Sequence, residues 1–365
     1  MIQDGIAING RFLTQRTSGV QRYARELLAA FSGEGGRSAA RPDGLPSMLV
    51  PCKAVTRSAE TAAPGSFRLK PVGRLSGHAW EQLELPLGRQ KQFLVNLCNT
   101  APLNRSNQLV VIHDTAVWRY PDAFSAAFRA LYRVLQPSIA RKSRMVATVS
   151  SFSAGELIHC FGLSPRTIEV IPNSGDHILR IRPEPSILAA HGLEAGRYLL
   201  AVGSANPTKN HAFLRHLEPL LAENHLPLVI AGARIPEVFA QSEAAASPWL
   251  RHVGYVSDGA LRALYESAMG FIFPSLYEGF GVPPLEAMHC GCPVLAAKAA
   301  ALPDTCADAA LYFDPWDPGS LIKACRRFIG SAQLRGELQL RGRFRARQFD
   351  WTDSSMRLAA LLKRI

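Results

Sequence analysis

Long hydrophobic runs are missing from this chain of 365 residues. Its apolar stretches are short, LVVI at 109–112 being one, and fall well below the ~18 residues that cross a bilayer. Any meeting with a membrane is therefore expected at its surface. A basic start is missing too. The N-terminal MIQDGIAING carries an acid at Asp4, which makes it a poor secretory signal. None of the seven cysteines has the CxxC spacing of a zinc site or redox pair. Cys290-Gly291-Cys292 reads as small residues flanking a turn. An odd count without such spacing fits a reducing, cytoplasmic compartment. Internal repeats are absent, as is any RRM- or KH-like signature of nucleic-acid binding.

Acidic residues are also scarce, at 29 against 41 basic ones, for a net charge of +12. The imbalance sits in the first half. Residues 1–175 hold 21 basic and 11 acidic side chains, whereas 176–365 hold 20 and 18. An anionic lipid surface, a nucleic acid or a phosphorylated ligand would each suit the first half. The hydrophobic fraction of 47% is enough for real cores and excludes a disordered chain.

Short apolar runs alternate with helix-period segments along the whole length. Strands are expected at 4–8, 48–50, 93–97, 109–112, 145–149, 168–171, 198–202, 227–231, 270–273, 293–297 and 311–313. In VQRYARELLAAF, the residues Val20, Tyr23, Ala24, Leu27, Leu28 and Phe31 make one apolar helical stripe. Strand–helix alternation implies α/β architecture with parallel sheets. Eleven strands suggest two doubly wound units, since one holds about six. The turn chemistry of Asn173-Ser174-Gly175-Asp176 and the prolines of RIRPEP place a boundary near 173–196. The polar stretches 32–47 and 56–77 read as mobile surface loops.

The segment FPSLYEGFGVPPLEAMHCGCPVLAAK, from Phe273, reads as strand end, Gly-rich loop, helix and strand. Pro283 and Pro284 suit a first helical turn, and the helix is expected over 284–290, stopping at Gly291. Its free amides beside two glycines would make an anion site. Glu278 in the loop and Glu286 in the first turn fall at the carboxyl ends of the strands, where open α/β sheets bind ligands. Glu286 either accepts hydrogen bonds from sugar hydroxyls or simply steadies the helix N-terminus.

The spacing Glu278–x7–Glu286 in this setting resembles family 4 of the retaining, GT-B-type glycosyltransferases. GRFLTQRTSGVQRYARELL, VVIHDTAVWRYPDAFS, VGSANPTKNHAFL and GYVSDGALRALYESA resemble further segments of that family, in order, over nearly the whole chain. The resemblance implies two Rossmann-like doubly wound domains facing a central cleft. The acceptor domain would be 1–175, joined by a C-terminal helix at 350–365, and the nucleotide-sugar domain 185–345. It implies that Lys209 holds the donor diphosphate, Glu286 the ribose and Glu278 the transferred sugar. Ser204, Gly279 and the backbone of Phe280, Gly281 and Val282 would line the donor. Gly19 would let backbone approach the phosphates, and His113 would sit near the reacting sugar. Catalysis would thus fall to His113, Glu278 and Lys209.

One departure from the family pattern concerns the phosphates. Many members carry an Arg shortly after the Gly of the strand end, working with the Lys; here Gly203 is followed by Ser204, and the residue before Lys209 is Thr208. No Asp-x-Asp is present, so no metal and no cofactor are expected, and Lys209 with helix amides would neutralise the diphosphate. The opening segment resembles bacterial exopolysaccharide and O-antigen mannosyltransferases, which favours GDP-mannose over UDP-glucose as donor and a lipid-linked oligosaccharide as acceptor. A sugar-nucleotide epimerase or a membrane- or nucleic-acid-binding scaffold would share parts of this pattern. FSAAFRALYRVLQ at 124–136 carries Phe124, Phe128, Leu131, Tyr132 and Leu135 on one helical face, with Arg129 and Arg133 beside them. That face is either buried core or a peripheral docking surface for an anionic membrane.

Overall fold

The computed structural model describes residues 5–33, 46–52, 64, 67–89, 91–204, 206–232 and 247–365. Two compact units divide the chain: Met1–Asn173 with Asp350–Ile365, and Ser174–Phe349.

The first unit is built on a parallel sheet. Its strands are β1 (Ile6–Asn9), β2 (Ser47–Pro51), β3 (Leu69–Val72), β4 (Phe93–Asn96), β5 (Gln108–Val111), β6 (Met145–Thr148) and β7 (Ile168–Val170), in spatial order β3-β2-β1-β4-β5-β6-β7. β1, β4 and β5 are buried along their whole length, as strands covered on both faces must be. Helix α1 (Gly19–Ser32) buries Tyr23, Ala24, Leu27, Leu28 and Phe31, the expected stripe. Each such large side chain contributes about 1.5–3 kcal/mol through burial. Helix α2 (Ala126–Lys142) packs Leu135, Ile139 and Ala140 into a core shared with Val110, Val146, and Leu157 and Phe161 of α3 (Ser151–Phe161).

The second unit repeats the plan. Its strands are β8 (Leu199–Val202), β9 (Leu228–Ala231), β10 (Leu250–Gly254), β11 (Gly270–Phe273), β12 (Val294–Ala297) and β13 (Ala310–Phe313), in order β10-β9-β8-β11-β12-β13 and all parallel. Its longer helices are α4 (Asp258–Ser267), α5 (Val282–His289), α6 (Pro318–Gly330) and α7 (Ala332–Ala346). The final helix α8 (Trp351–Leu362) belongs to the first unit, where Trp351 meets the Tyr23 ring edge-on at 5.7 Å.

Every expected strand is present, with ends shifted by no more than two residues; residue 4 of the first lies outside the described residues. β3 and β10 were not expected, and each is the outermost strand of its sheet. β3 lies inside the stretch 56–77 that reads as loop; of that stretch, 56–63, 65 and 66 lie outside the described residues, as do 34–45 of the other polar stretch. Asp350 caps α8 by accepting from the Asp353 amide at 2.7 Å. Met356 of this helix is 49% exposed.

In each sheet the chain reverses its direction of winding once, between β1 and β4 in the first and between β8 and β11 in the second. Loops leave the carboxyl ends of these strands in opposite directions and open a crevice, the usual ligand position in such sheets.

Candidate functional site

At the reversal point of the second sheet, the loop after β8 meets the loop after β11. Asn206 shapes the first loop: its Oδ1 accepts from the Thr208 amide and the Thr208 hydroxyl, both at 2.9 Å. The Thr208 carbonyl then accepts from the Leu276 amide at 2.8 Å and the Ser275 hydroxyl at 3.1 Å, which ties the two loops together. This junction brings Lys209 onto Glu278, with Nζ donating to Oε1 at 2.5 Å. Ser275 Oγ donates to the same oxygen at 2.7 Å. Oε2 of Glu278 has no partner among the described residues, and the carboxylate is 13% exposed. His211 lies two residues on and is buried. Burial, then the charges of Lys209 and His252, push its pKa down to about 4, so it stays neutral beside the lysine.

Helix α5 starts at Val282, two residues earlier than expected, because Gly281 serves as N-cap with φ of 102°. A side chain is strained there, and its Cβ would also stand 2.7 Å from Leu302 Cδ2. Glu286 is therefore the fifth helical residue and lies past the first turn, too far along for a cap interaction. It is buried, with Oε1 3.0 Å from His177 Nε2 and Oε2 accepting from the Tyr265 hydroxyl at 3.2 Å. Burial, then the Glu286 charge, raise the Tyr265 pKa well above its ordinary value, so the phenol remains a donor. Gly175 lets the His177 turn reach this helix, since a Cβ there would stand 2.7 Å from the Glu286 amide.

The remaining candidates have plainer settings. Phe280 is buried edge-on against Phe349 at 5.4 Å, and its carbonyl accepts from the Thr305 hydroxyl at 2.5 Å. Ser204 is exposed, two residues past the end of β8. Gly279, Gly281 and Val282 form the turn into α5.

Gly19 and His113 belong to the first unit. Gly19 is the first residue of α1 rather than a loop glycine, and a Cβ on it would meet nothing within 4 Å. His113 follows β5 and is 5% exposed, its Nε2 2.9 Å from the Leu97 carbonyl and its ring edge-on to Tyr23 at 4.7 Å. Burial pushes its pKa down to about 4, against the opposing hydrogen bond to Leu97, so at neutral pH Nε2–H donates to that carbonyl. Asn99, with φ of 66°, accepts from the His113 amide at 2.7 Å and holds the turn. His177, Tyr265, Ser275 and His211 were not singled out from sequence. Tyr265, Ser275 and His211 lie inside quoted motifs, but nothing in their spacing signals their partners.

Residues 196–331 match the model of the glycosyl transferases group 1 family, a span that holds Lys209, Glu278 and Glu286. The O-antigen chain mannosyltransferase B of Escherichia coli is 31% identical over 261 residues, 68% of this chain and 68% of its own length. The chain belongs to the group 1 glycosyltransferases. The O-antigen chain mannosyltransferase RfbU of Salmonella typhimurium is 27% identical over 65% of this group 1 chain and 64% of its own. Anabaena Alr3699/HepE, solved with UDP and glucose, superposes with a TM-score of 0.73 at 17% identity, covering 99% of each chain. The two Rossmann-like units are those of the GT-B class. Among the described residues no helix is long and apolar enough to cross a membrane.

Proposed function

We propose that this protein transfers a hexose, mannose from GDP-mannose, onto a saccharide or lipid-linked acceptor with retention at the anomeric carbon. The observation that carries the reading is the Lys209–Glu278 pair at the reversal point of the second sheet. A diphosphate entering there exchanges one anionic partner of Lys209 for another, and frees Glu278 to accept from the hydroxyls of the transferred sugar. Glu286, oriented by His177 and Tyr265, would accept from the ribose hydroxyls. The acceptor hydroxyl attacks the anomeric carbon from the face the diphosphate leaves, and its proton passes to the departing phosphate oxygen. Lys209 and the amides around Gly281 stabilise the charge that grows on that oxygen, with no metal required. Mannose is favoured by the relatives named above, and the first unit takes the acceptor.

Thermal-shift measurements with GDP, UDP and ADP test the donor. GDP is expected to stabilise most, by about 2.7 kcal/mol at 100 times its dissociation constant. A larger shift with UDP overturns the GDP-mannose assignment.

The two glutamates separate in the same assay. Glu286→Ala should cost about 1.5–3 kcal/mol of nucleotide affinity, the value of a charged hydrogen bond. Glu278→Ala should spare GDP binding and lower turnover. Wild-type affinity and turnover in both variants would remove these residues from the site.

Exposure along α2 supports peripheral membrane contact. Leu135 is buried, but Phe128, Leu131 and Val134 are 37%, 44% and 67% exposed. Phe124, Phe128 and Tyr132 stack in a ladder, with centroids 5.4 and 4.0 Å apart. Arg129, Arg133, Arg141, Lys142 and Arg144 follow on the same element and its end. Each basic residue near anionic lipid adds about 1 kcal/mol. The protein should co-sediment with anionic vesicles and leave them in high salt. Reversing Arg129, Arg133 and Lys142 to Glu should abolish this and leave GDP affinity unchanged. Equal sedimentation with neutral vesicles, or none with either, retires the membrane role.

A further inference from the structure

The reversal point of the first sheet carries a buried polar cluster with no role so far. Asn9 and Asn96, the last residues of β1 and β4, join through Asn9 Nδ2 and Asn96 Oδ1 at 3.0 Å. Asn9 also donates to Glu81 Oε1 at 2.9 Å, and the Thr100 hydroxyl donates to the same oxygen at 3.0 Å. Arg11 Nε stands 3.3 Å from that oxygen, and its Nη2 donates to Thr100 at 2.8 Å. The side chains of Glu81 and Arg11 are 1% and 6% exposed. A buried ion pair of this kind is costly unless every lone pair and proton is met. Burial pushes the Glu81 carboxyl up, but His78, Arg11, Asn9 and Thr100 outweigh it and hold it below the ordinary value, so it stays charged.

One member of the cluster reaches solvent. The His78 side chain is 36% exposed, and its ring meets Tyr132 of α2 edge-on at 5.9 Å. Its Nδ1 faces inward, 3.2 Å from Arg11 Nη1 and 3.4 Å from Glu81 Oε2. A guanidinium can only donate. In neutral His78, therefore, Nδ1 accepts from Arg11 and the proton sits on Nε2. In charged His78, Nδ1–H turns to Glu81 and Nε2 again carries a proton. Both states present an outward N–H, and Nε2 has no partner among the described residues. With His78 neutral, Glu81 cancels the charge of Arg11, so the cluster offers a donor without a net cation. That suits the oxygen of an uncharged hydroxyl better than a phosphate.

We propose that His78 binds the acceptor, with its Nε2–H donating to a hydroxyl oxygen of a saccharide at the carboxyl edge of β1 and β4, and that Arg11 and Glu81 are positioning residues. This rests on the reading of the first unit as the acceptor unit.

Saturation-transfer NMR on the full chain with methyl α-D-mannopyranoside tests it. Glutamine places an amide nitrogen where Nε2 stands, and asparagine where Nδ1 stands. Wild type and His78→Gln should bind the mannoside, with the Gln variant within about threefold. His78→Asn and His78→Ala should lose tenfold or more. A merely structural role for His78 would weaken the Gln and Asn variants alike and overturns the proposal, as does mannoside binding in the Ala variant equal to wild type, or none in wild type. Inorganic phosphate forms a second arm: if phosphate binding, and not mannoside binding, follows the substitutions, the hydroxyl assignment is wrong. GDP thermal shift, read on the second unit, should be unchanged in every variant. Its absence in wild type would count against the donor reading alone.

Discussion

Replacing Lys209 by alanine is expected to lower kcat by a factor of about 10²–10³, the usual effect of deleting one positioned group that meets charge growing in the transition state. Affinity for the intact donor should fall much less, because the charge on its diphosphate increases only as the glycosidic bond breaks, whereas GDP already carries that charge. Ser204 offers no second cation at the end of β8, which is why the expected effect of removing Lys209 is large. Lys209→Arg should restore only part of the activity. Nζ is a compact charge seated 2.5 Å from Glu278 and 5.8 Å from the Phe273 ring centroid, and a planar fork does not fit that seat. Single-turnover rates with saturating donor separate the effects. An unchanged kcat in the alanine variant would move the diphosphate away from this loop, toward the basic residues near the start of the chain.

Acidification from pH 7 to pH 5 should destabilise the folded chain by about 2 kcal/mol at each of two buried histidines. His113 and His211 both have a pKa pushed down from 6.5 to about 4, His113 by burial and His211 by burial and then the charges of Lys209 and His252. Once unfolded, either imidazole takes a proton near 6.5. In the folded chain it refuses one until about 4. Between those values the unfolded state binds more protons, so stability present at neutral pH is lost as pH falls through 6.5, and the loss is complete below about 4. One histidine lies in each unit, so both units should weaken. Urea midpoints at pH 7 and pH 5 measure this. His113→Gln, which cannot titrate, should remove that residue's share of the pH dependence whatever it does to the absolute stability. Midpoints identical at the two pH values would show that neither imidazole is shielded from protons.

Much of this site was legible before any coordinates. The run of Gly279, Gly281, Pro283 and Pro284 around two glutamates needs only local chemistry to be read as loop and helix start. What escaped was pairing. Glu278 and Lys209 lie 69 positions apart, and each was assigned a piece of the donor without notice that each could hold the other. By sequence Glu286 reads as either a ligand contact or a helix-dipole contact. The structure places it in the second turn, between His177 and Tyr265. Neither partner had a spacing signal, because both reach Glu286 across the fold.

By itself the sequence determined two doubly wound units, because buried parallel strands must be continuous apolar runs and the helices between them must carry a stripe. It determined the segments that bear the site, because glycine and proline constrain backbone locally. Only the tertiary structure decided the outermost strands β3 and β10. Lys70 with Pro71, and Arg251 with His252, leave no apolar run to read, and such strands form because a neighbour offers free backbone groups on one side. Only the tertiary structure decided that α2 buries Leu135 while leaving Leu131 and Val134 in solvent, since a helical stripe is apolar whether or not something covers it. And only it could assemble Asn9, Arg11, His78, Glu81, Asn96 and Thr100, because the reversal of strand order at β1 and β4 joins residues from three separate stretches of chain.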